Sequence, residues 1–158
     1  EDTMVNVLFV CLGNICRSPM AEGVFQQMVN DAGLQQKITV DSAGTAGYHA
    51  GETAHRGTIK TLASHGITYN GRSRRLSTAD FENFDYILAM DHSNLDNIKS
   101  KMPASTDATI SMFMDYAPDM NTPEVPDPYY TGEFDRVYEL VYAASERLLA
   151  TVRAEHNL

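Results

Sequence analysis

The sequence predicts an α/β fold: a single three-layer domain over residues 4–156, a four-stranded parallel sheet flanked by helices on both faces. Three observations carry this reading. Short apolar, β-branched runs alternate along the chain with segments of helical periodicity. Gly and Pro punctuate the junctions between them. No internal repeat, linker or low-complexity tract divides the 158 residues, a length that one hydrophobic core can serve.

Residues 4–10 read as a buried strand that runs into a Gly-containing turn. Ser18-Pro19 opens a helix, with Met20, Val24, Met28 and Ala32 at helical spacing and Gly33 as its stop. Residues 37–42 form a second strand, followed by the turn-rich Ala43-Gly44-Thr45-Ala46-Gly47. Thr53 to His65 is a helix that stops at Gly66. Residues 84–90 are a third strand, Ser93 to Lys101 a short helix, and Ala108 to Met114 a fourth, weaker strand. Residues 115–131 read as a loop rich in Pro and Asp. In the last helix, Phe134 to Val152, an apolar face of Phe134, Val137, Leu140, Val141, Ala144 and Leu148 turns inward.

Composition narrows the class. The net charge of −9 argues against nucleic acid as a partner, because phosphate-backbone binding needs Lys and Arg in excess. No apolar run reaches the length of a membrane span, so no membrane insertion is expected. The acidic start Glu1-Asp2-Thr3 does not read as a secretory signal, and Met4 is the expected native start. Two cysteines are too few for a disulfide scaffold and have no partners for a zinc site, so a free thiol in the cytoplasm is expected, with no metal and no cofactor. Charge is uneven: residues 49–75 hold five Lys/Arg against one acid, and residues 107–139 hold eight acids against one Arg. The basic stretch offers a local positive field to an anionic partner.

Both cysteines lie in "VCLGNICRSP", between the first strand and the first helix. In an open parallel sheet that junction is where ligands bind. The spacing Cys11-x5-Arg17 followed by Ser18 describes a loop whose successive N–H groups, at residues Leu12, Gly13, Asn14, Ile15, Cys16 and Arg17, can converge on an anion. The helix N-terminus adds positive potential, and Arg17 can give two parallel hydrogen bonds to a phosphate. The same features favour a thiolate at Cys11, to which Ser18 can donate. Gly13 lets the backbone approach closely. No Lys follows, so this is not an ATP-binding loop. A thiolate that attacks phosphorus needs an acid for the leaving oxygen. Asp127, between Pro126 and Pro128 on the late loop, is the candidate, although an aspartate before proline is ordinarily a loop cap. Tyr129 and Tyr130 follow it as packing residues or as walls of a cleft for an aromatic ring.

With "VCLGNICRSP", "DSAG" at 41–44, "FDYILAMD" at 84–91 and "DPYY" at 127–130, the chain resembles the low-molecular-weight protein tyrosine phosphatases along its length from Met4. The resemblance implies hydrolysis of protein phosphotyrosine by a monomer that needs no metal. It implies Cys11 as nucleophile, Arg17 as phosphate clamp and Asp127 as general acid and base. It implies that Ser18 stabilises the thiolate, that Asn14 and Ser42 hold the loop, and that Leu12, Tyr48, Tyr129 and Tyr130 wall the cleft. Many eukaryotic members carry a histidine where this chain has Gly71, so Asn14 must be supported differently or by a neighbour.

Three rivals share parts of this pattern. Thioredoxin-coupled arsenate reductases need two further cysteines downstream, and none follows Cys16. Arginine phosphatases have Thr at the position of Ile15, whereas Ile15 and Leu12 make an apolar rim suited to an aromatic ring. A phosphopeptide-binding module would need neither the thiol nor the acid. The second cysteine either packs under the loop or has a role of its own, as redox partner of the first. The loop curls between Cys11 and Cys16, so a modest backbone shift brings the sulfurs into disulfide range, and Cys16 becomes a redox partner that protects an oxidised Cys11.

Overall fold

The protein is described by a computed structural model over residues 4–158; Glu1-Asp2-Thr3 lie outside the described residues. Strands β1 (Val5–Cys11), β2 (Ile38–Gly44), β3 (Tyr86–Ala89) and β4 (Thr109–Met112) form one parallel sheet in the order β2-β1-β3-β4. The helices are α1 (Arg17–Asp31), α2 (Arg56–Ser64), α3 (Asp80–Asn83), α4 (His92–Lys101), α5 (Pro128–Thr131) and α6 (Phe134–His156). From β1 the chain first adds a strand on one side and then crosses to the other. The strand order therefore reverses between β1 and β3, and a crevice opens at their carboxyl ends.

The period-two alternation of β1 builds two cores. Val5, Val7, Phe9 and Cys11 face a large cluster with α1, α2 and α6, while Leu8 and Val10 face a smaller one with Phe81 of α3 and Ile98 of α4. Phe9 anchors the larger cluster, edge-on to Phe25 at 5.6 Å and to Phe113 at 5.0 Å.

The four strands and the flanking helices stand near where the sequence places them, with four differences. The fourth strand stops at Met112, because Phe113–Tyr116 turns into a 3-10 helix that buries Phe113 and Met114 in the larger core. The late loop is partly ordered into a second 3-10 turn, Pro118–Met120, and into α5, which Asp127 caps and Gly132 ends at positive φ. Helix α3 has only four residues, too few to leave a periodic signal. The second strand also runs on through Ala43 and Gly44, the latter in register with Cys11.

Gly44 is where the end of β2 meets the loop after β1. A Cβ there would lie 2.8 Å from the Leu12 carbonyl oxygen and 3.1 Å from the carbonyl carbon of Gly13, both backbone atoms that no rotamer can move aside. Gly44→Ala is therefore expected to lower stability by about 1–3 kcal/mol and to weaken orthophosphate binding. Chemical denaturation with and without phosphate measures both. A variant as stable as the parent, with the same phosphate-induced stabilisation, would show that the loop has room to shift.

Candidate active site

The loop between β1 and α1 is shaped from outside. Cys11 O accepts from Thr45 N at 2.9 Å, Leu12 O from Ala46 N at 3.0 Å and Gly13 O from the Ser73 hydroxyl at 2.9 Å. Ile15 O accepts from His55 N at 2.7 Å, and Cys16 O from the Thr58 hydroxyl at 3.0 Å. All peptide bonds in the described chain are trans, so each outward carbonyl sends the next residue's N–H the opposite way. The N–H groups of Leu12, Gly13, Asn14, Cys16 and Arg17 thus point toward the loop's interior, at the N-terminus of α1. That is a nest for an anion.

Asn14 is the conformational hinge of the loop. Its φ of 58° is left-handed, which costs a non-glycine residue about 1–2 kcal/mol. Its buried amide recovers this through Nδ2 to Ser18 Oγ (2.8 Å) and Ser42 Oγ (2.9 Å), and through Oδ1, which accepts from Arg74 N (3.0 Å). Such bonds contribute about 1 kcal/mol each. Arg74 N fixes which end of the amide is the oxygen. Ser18 Oγ, which accepts from Asn14, lies 3.1 Å from Cys11 Sγ and can donate its own proton to the sulfur. Asn14, Ser18 and Ser42, read from sequence as loop supports, are one connected network.

Arg17 is nearly inaccessible, yet charged. Its Nη1 donates to Asp91 Oδ2 at 2.6 Å and to Val125 O at 3.1 Å, and its Nη2 lies 3.4 Å from Asp127 Oδ2. Burial works against the charge, but the negative charge of Cys11, the bond to Asp91 and the nearby Asp127 outweigh it and hold the guanidinium protonated. Asp91 is locked in turn: its Oδ1 caps α4 by accepting from Asn94 N at 2.7 Å. Cys16 is buried within the loop, and burial first, then the charges of Cys11 and Asp127, push its thiol up to about 12.

The cavity over the loop has a volume of about 200 Å³. Cys11, Arg17 and Asp127 share it with all four predicted walls, Leu12, Tyr48, Tyr129 and Tyr130. Tyr48 and Tyr130 are 77% and 80% exposed, so they rim the opening instead of packing into the core. Gly13, Ile15 and Cys16 also line it. Among the described residues no group of three His, Cys, Asp or Glu could hold a metal ion.

Sequence reasoning missed Asp91 and His49. Asp91 follows the third strand and caps α4, a position from which it also reaches Arg17. His49 lines the cavity and pairs with Glu52 at 3.0 Å. The basic stretch is less of a free field than its composition suggests. Arg74 is tied to Asp80 and Asp41, both at 3.1 Å, and Arg72 donates to Gly51 O.

Asp91 holds Arg17 most closely, so its removal should be felt in fold and site alike. Asp91→Ala is expected to cost on the order of 3 kcal/mol of stability, because it strands part of a buried ion pair. It should also weaken vanadate binding about tenfold, which equilibrium unfolding and a vanadate titration would measure. Unchanged values of both would show that Asp127 and Val125 hold Arg17 unaided.

Comparison with known proteins agrees with this geometry. The family described as low molecular weight phosphotyrosine protein phosphatase matches residues 6–158. The low molecular weight protein-tyrosine-phosphatase YfkJ of Bacillus subtilis is 44% identical over 98% of this chain and its own full length. Its crystal structure superposes with a TM-score of 0.94 over 98% of each chain. PtpA of Staphylococcus aureus, also a low molecular weight protein-tyrosine-phosphatase, is 43% identical over 98% of both chains. A Drosophila arginine phosphatase has the same fold at a TM-score of 0.87 and 34% identity, covering 93% of this chain and 97% of its own. The loop, the sheet and the match along the whole chain place this protein in the low molecular weight phosphotyrosine protein phosphatase family.

Proposed function

We propose that the chain hydrolyses phosphotyrosine in proteins through a cysteinyl-phosphate intermediate. The observation that carries this is one cavity that joins the Cys11 sulfur, the nest, Arg17 and Asp127 beneath a rim of three tyrosines. In the first step the Cys11 thiolate attacks phosphorus in line with the aryl oxygen. The P–O bond breaks as Asp127 gives its proton to the departing phenolate. Arg17 Nη1 is taken by Asp91 and Val125, so Nη2 and Nε serve the equatorial oxygens. A bound dianion displaces Asp127 from Nη2 and leaves it beside the leaving oxygen. In the second step Asp127 takes a proton from water, which attacks phosphorus and expels the thiolate. The loop's N–H groups and Arg17 stabilise the charge that builds up in both steps.

The family supports phosphatase chemistry, and two observations favour the phenol ester over phosphoarginine. Ile15 and Leu12 present apolar surface to the cavity, and Tyr48, Tyr129 and Tyr130 surround its mouth. The expected substrate is a phosphotyrosine-bearing protein, engaged by a monomer, without nucleic acid. No helix among the described residues is long and apolar enough to cross a membrane, and both cysteines are free thiols, which suits the cytoplasm.

The test is turnover of phosphotyrosine, phosphoserine and phosphoarginine peptides by the parent, Cys11→Ser and Asp127→Ala. Phosphotyrosine should be preferred. Cys11→Ser should be inactive while it still binds vanadate, because the nest is backbone. Asp127→Ala should lose about a hundredfold or more, and less with leaving groups of low pKa. Faster turnover of phosphoarginine would overturn the substrate assignment. Equal losses across the leaving-group series would overturn the acid.

Cys16 is proposed as the redox partner of the nucleophile. Peroxide converts the Cys11 thiolate to a sulfenic acid, and the Cys16 thiol then attacks that sulfur and releases water as the disulfide forms. Part of what raises the Cys16 thiol is the charge of Cys11, and oxidation removes that charge. After peroxide and then dithiothreitol, the parent should recover activity and Cys16→Ser should not. Equal recovery would leave Cys16 a packing residue.

A further inference from the structure

The support of the phosphate loop does not end at Ser42. The Ser42 hydroxyl donates to Glu22 Oε1 at 2.6 Å, and the Tyr69 hydroxyl donates to the same oxygen at 2.7 Å. Glu22 stands on α1, one turn beyond Ser18, and Tyr69 comes from the segment after α2. Tyr69 fits there because of Gly71. A Cβ on residue 71 would collide with the Tyr69 hydroxyl oxygen and lie 2.6 Å from the ring carbon that bears it. The glycine that leaves the usual supporting position without a side chain is thus the residue that admits the phenol.

The chain of donors has one direction only. An ionised Glu22 can only accept, so Tyr69 and Ser42 must both donate to it. Ser42, its proton spent, accepts from Asn14 Nδ2. The other Asn14 Nδ2 proton goes to Ser18, and Ser18 is left to donate to Cys11 Sγ. Reversing the Ser18 or Ser42 hydroxyl would set a donor against the Asn14 amide, whose orientation Arg74 N fixes. A carboxylate behind the loop thereby holds Ser42 as an acceptor for the Asn14 amide, which in turn leaves Ser18 to donate to the nucleophile.

We propose that Tyr69 and Glu22 are positioning residues for the nucleophile, with the Tyr69 phenol admitted by Gly71 as the outer support of the phosphate loop. The proposal rests on the phosphatase reading of the same site. Glu22 is half-buried, and burial raises its carboxyl, against which the bonds from Ser42 and then Tyr69 act; Asp41 raises it further and Arg74 lowers it. The Tyr69 phenol is itself pushed up, by burial first and then by Glu22, so it remains a donor across the working range of pH. Removing the phenol takes away one bond that favours the ionised carboxylate. Glu22 then protonates at a higher pH, and the ordered chain is lost earlier as the pH falls.

Tyr69→Phe removes one oxygen and Gly71→Ala displaces the same hydroxyl, so the two should fail alike. Each is compared with the parent in aryl phosphate turnover against pH, in the rate of Cys11 alkylation by iodoacetamide, and in thermal unfolding. Tyr69→Phe should lower kcat about tenfold with KM within about twofold, the loss expected for a bond that acts through the nucleophile. Its acid limb should move to higher pH, and Cys11 alkylation near neutrality should slow by about threefold or more. If Tyr69→Phe keeps kcat, pH profile and alkylation rate within about twofold of the parent, the proposal is wrong. A lower melting temperature with those three unchanged makes Tyr69 merely structural, which also overturns it. If the parent itself turns over no aryl phosphate, the phosphatase reading falls, and the alkylation comparison still decides the role of Tyr69.

Discussion

The site depends on the outward capture of five loop carbonyls. A seven-residue turn from Cys11 to Arg17 gains little by itself from pointing its N–H groups at one spot, because those dipoles repel when no anion is present. The repulsion is overcome by bonds made on the other side of the peptide planes, by Thr45, Ala46, His55, Thr58 and Ser73. These donors come from the end of β2, the start of α2 and the segment that follows it. The shape of the proposed anion site is therefore held by the tertiary fold. Such preorganisation is what lets backbone dipoles stabilise developing charge without reorganising during reaction.

The same fold carries the late loop to the site. Val125 N donates to Met90 O at 2.8 Å, at the end of β3, and Val125 O accepts from Arg17 at 3.1 Å. One residue is thus bound on one side to the sheet and on the other to the arginine of the loop, two positions before Asp127. Asp91, next to Met90, completes the arrangement by holding the other face of that Arg17 nitrogen. A separation of 110 residues between Arg17 and Asp127 is closed by a strand end and one buried guanidinium.

Much of this was legible in the sequence, and the reason is physical. Strands β1 and β3 are buried on both faces and so read as nearly continuous apolar runs, and the loop residues are confined by chemistry to a short spacing. Ser18 could be named from its place beside the thiol at a helix start, whereas Asn14 and Ser42 could be named only through the family resemblance. Asp91 could not, because an aspartate that begins a helix already has a sufficient explanation as its cap. Glu22 and Tyr69 were hidden more deeply. Glu22 sits in a helix where any surface glutamate would fit, and Tyr69 gains its place only from the missing side chain at Gly71. The sequence showed the gap but held no sign of which neighbour would fill it. The fourth strand ended early because burial of Phe113 and Met114 overrode the apolar pattern that extended it.

Asp127 shows why a bland and a functional reading of one residue can both hold. As a loop cap, it accepts from Tyr129 N through Oδ1 at 3.1 Å and starts α5. As the proposed acid, it acts through Oδ2, the oxygen that faces Arg17. The two roles use different atoms, and the first serves the second. Once a bound dianion takes Arg17 Nη2 from Oδ2, only Oδ1 still accepts an N–H, so the proton of the proposed acid belongs on Oδ2, toward the substrate. The cap also restrains the side chain's rotation, which a carboxyl on an exposed loop between two prolines would otherwise be free to explore. A helix of four residues is in this way enough to aim the proposed general acid.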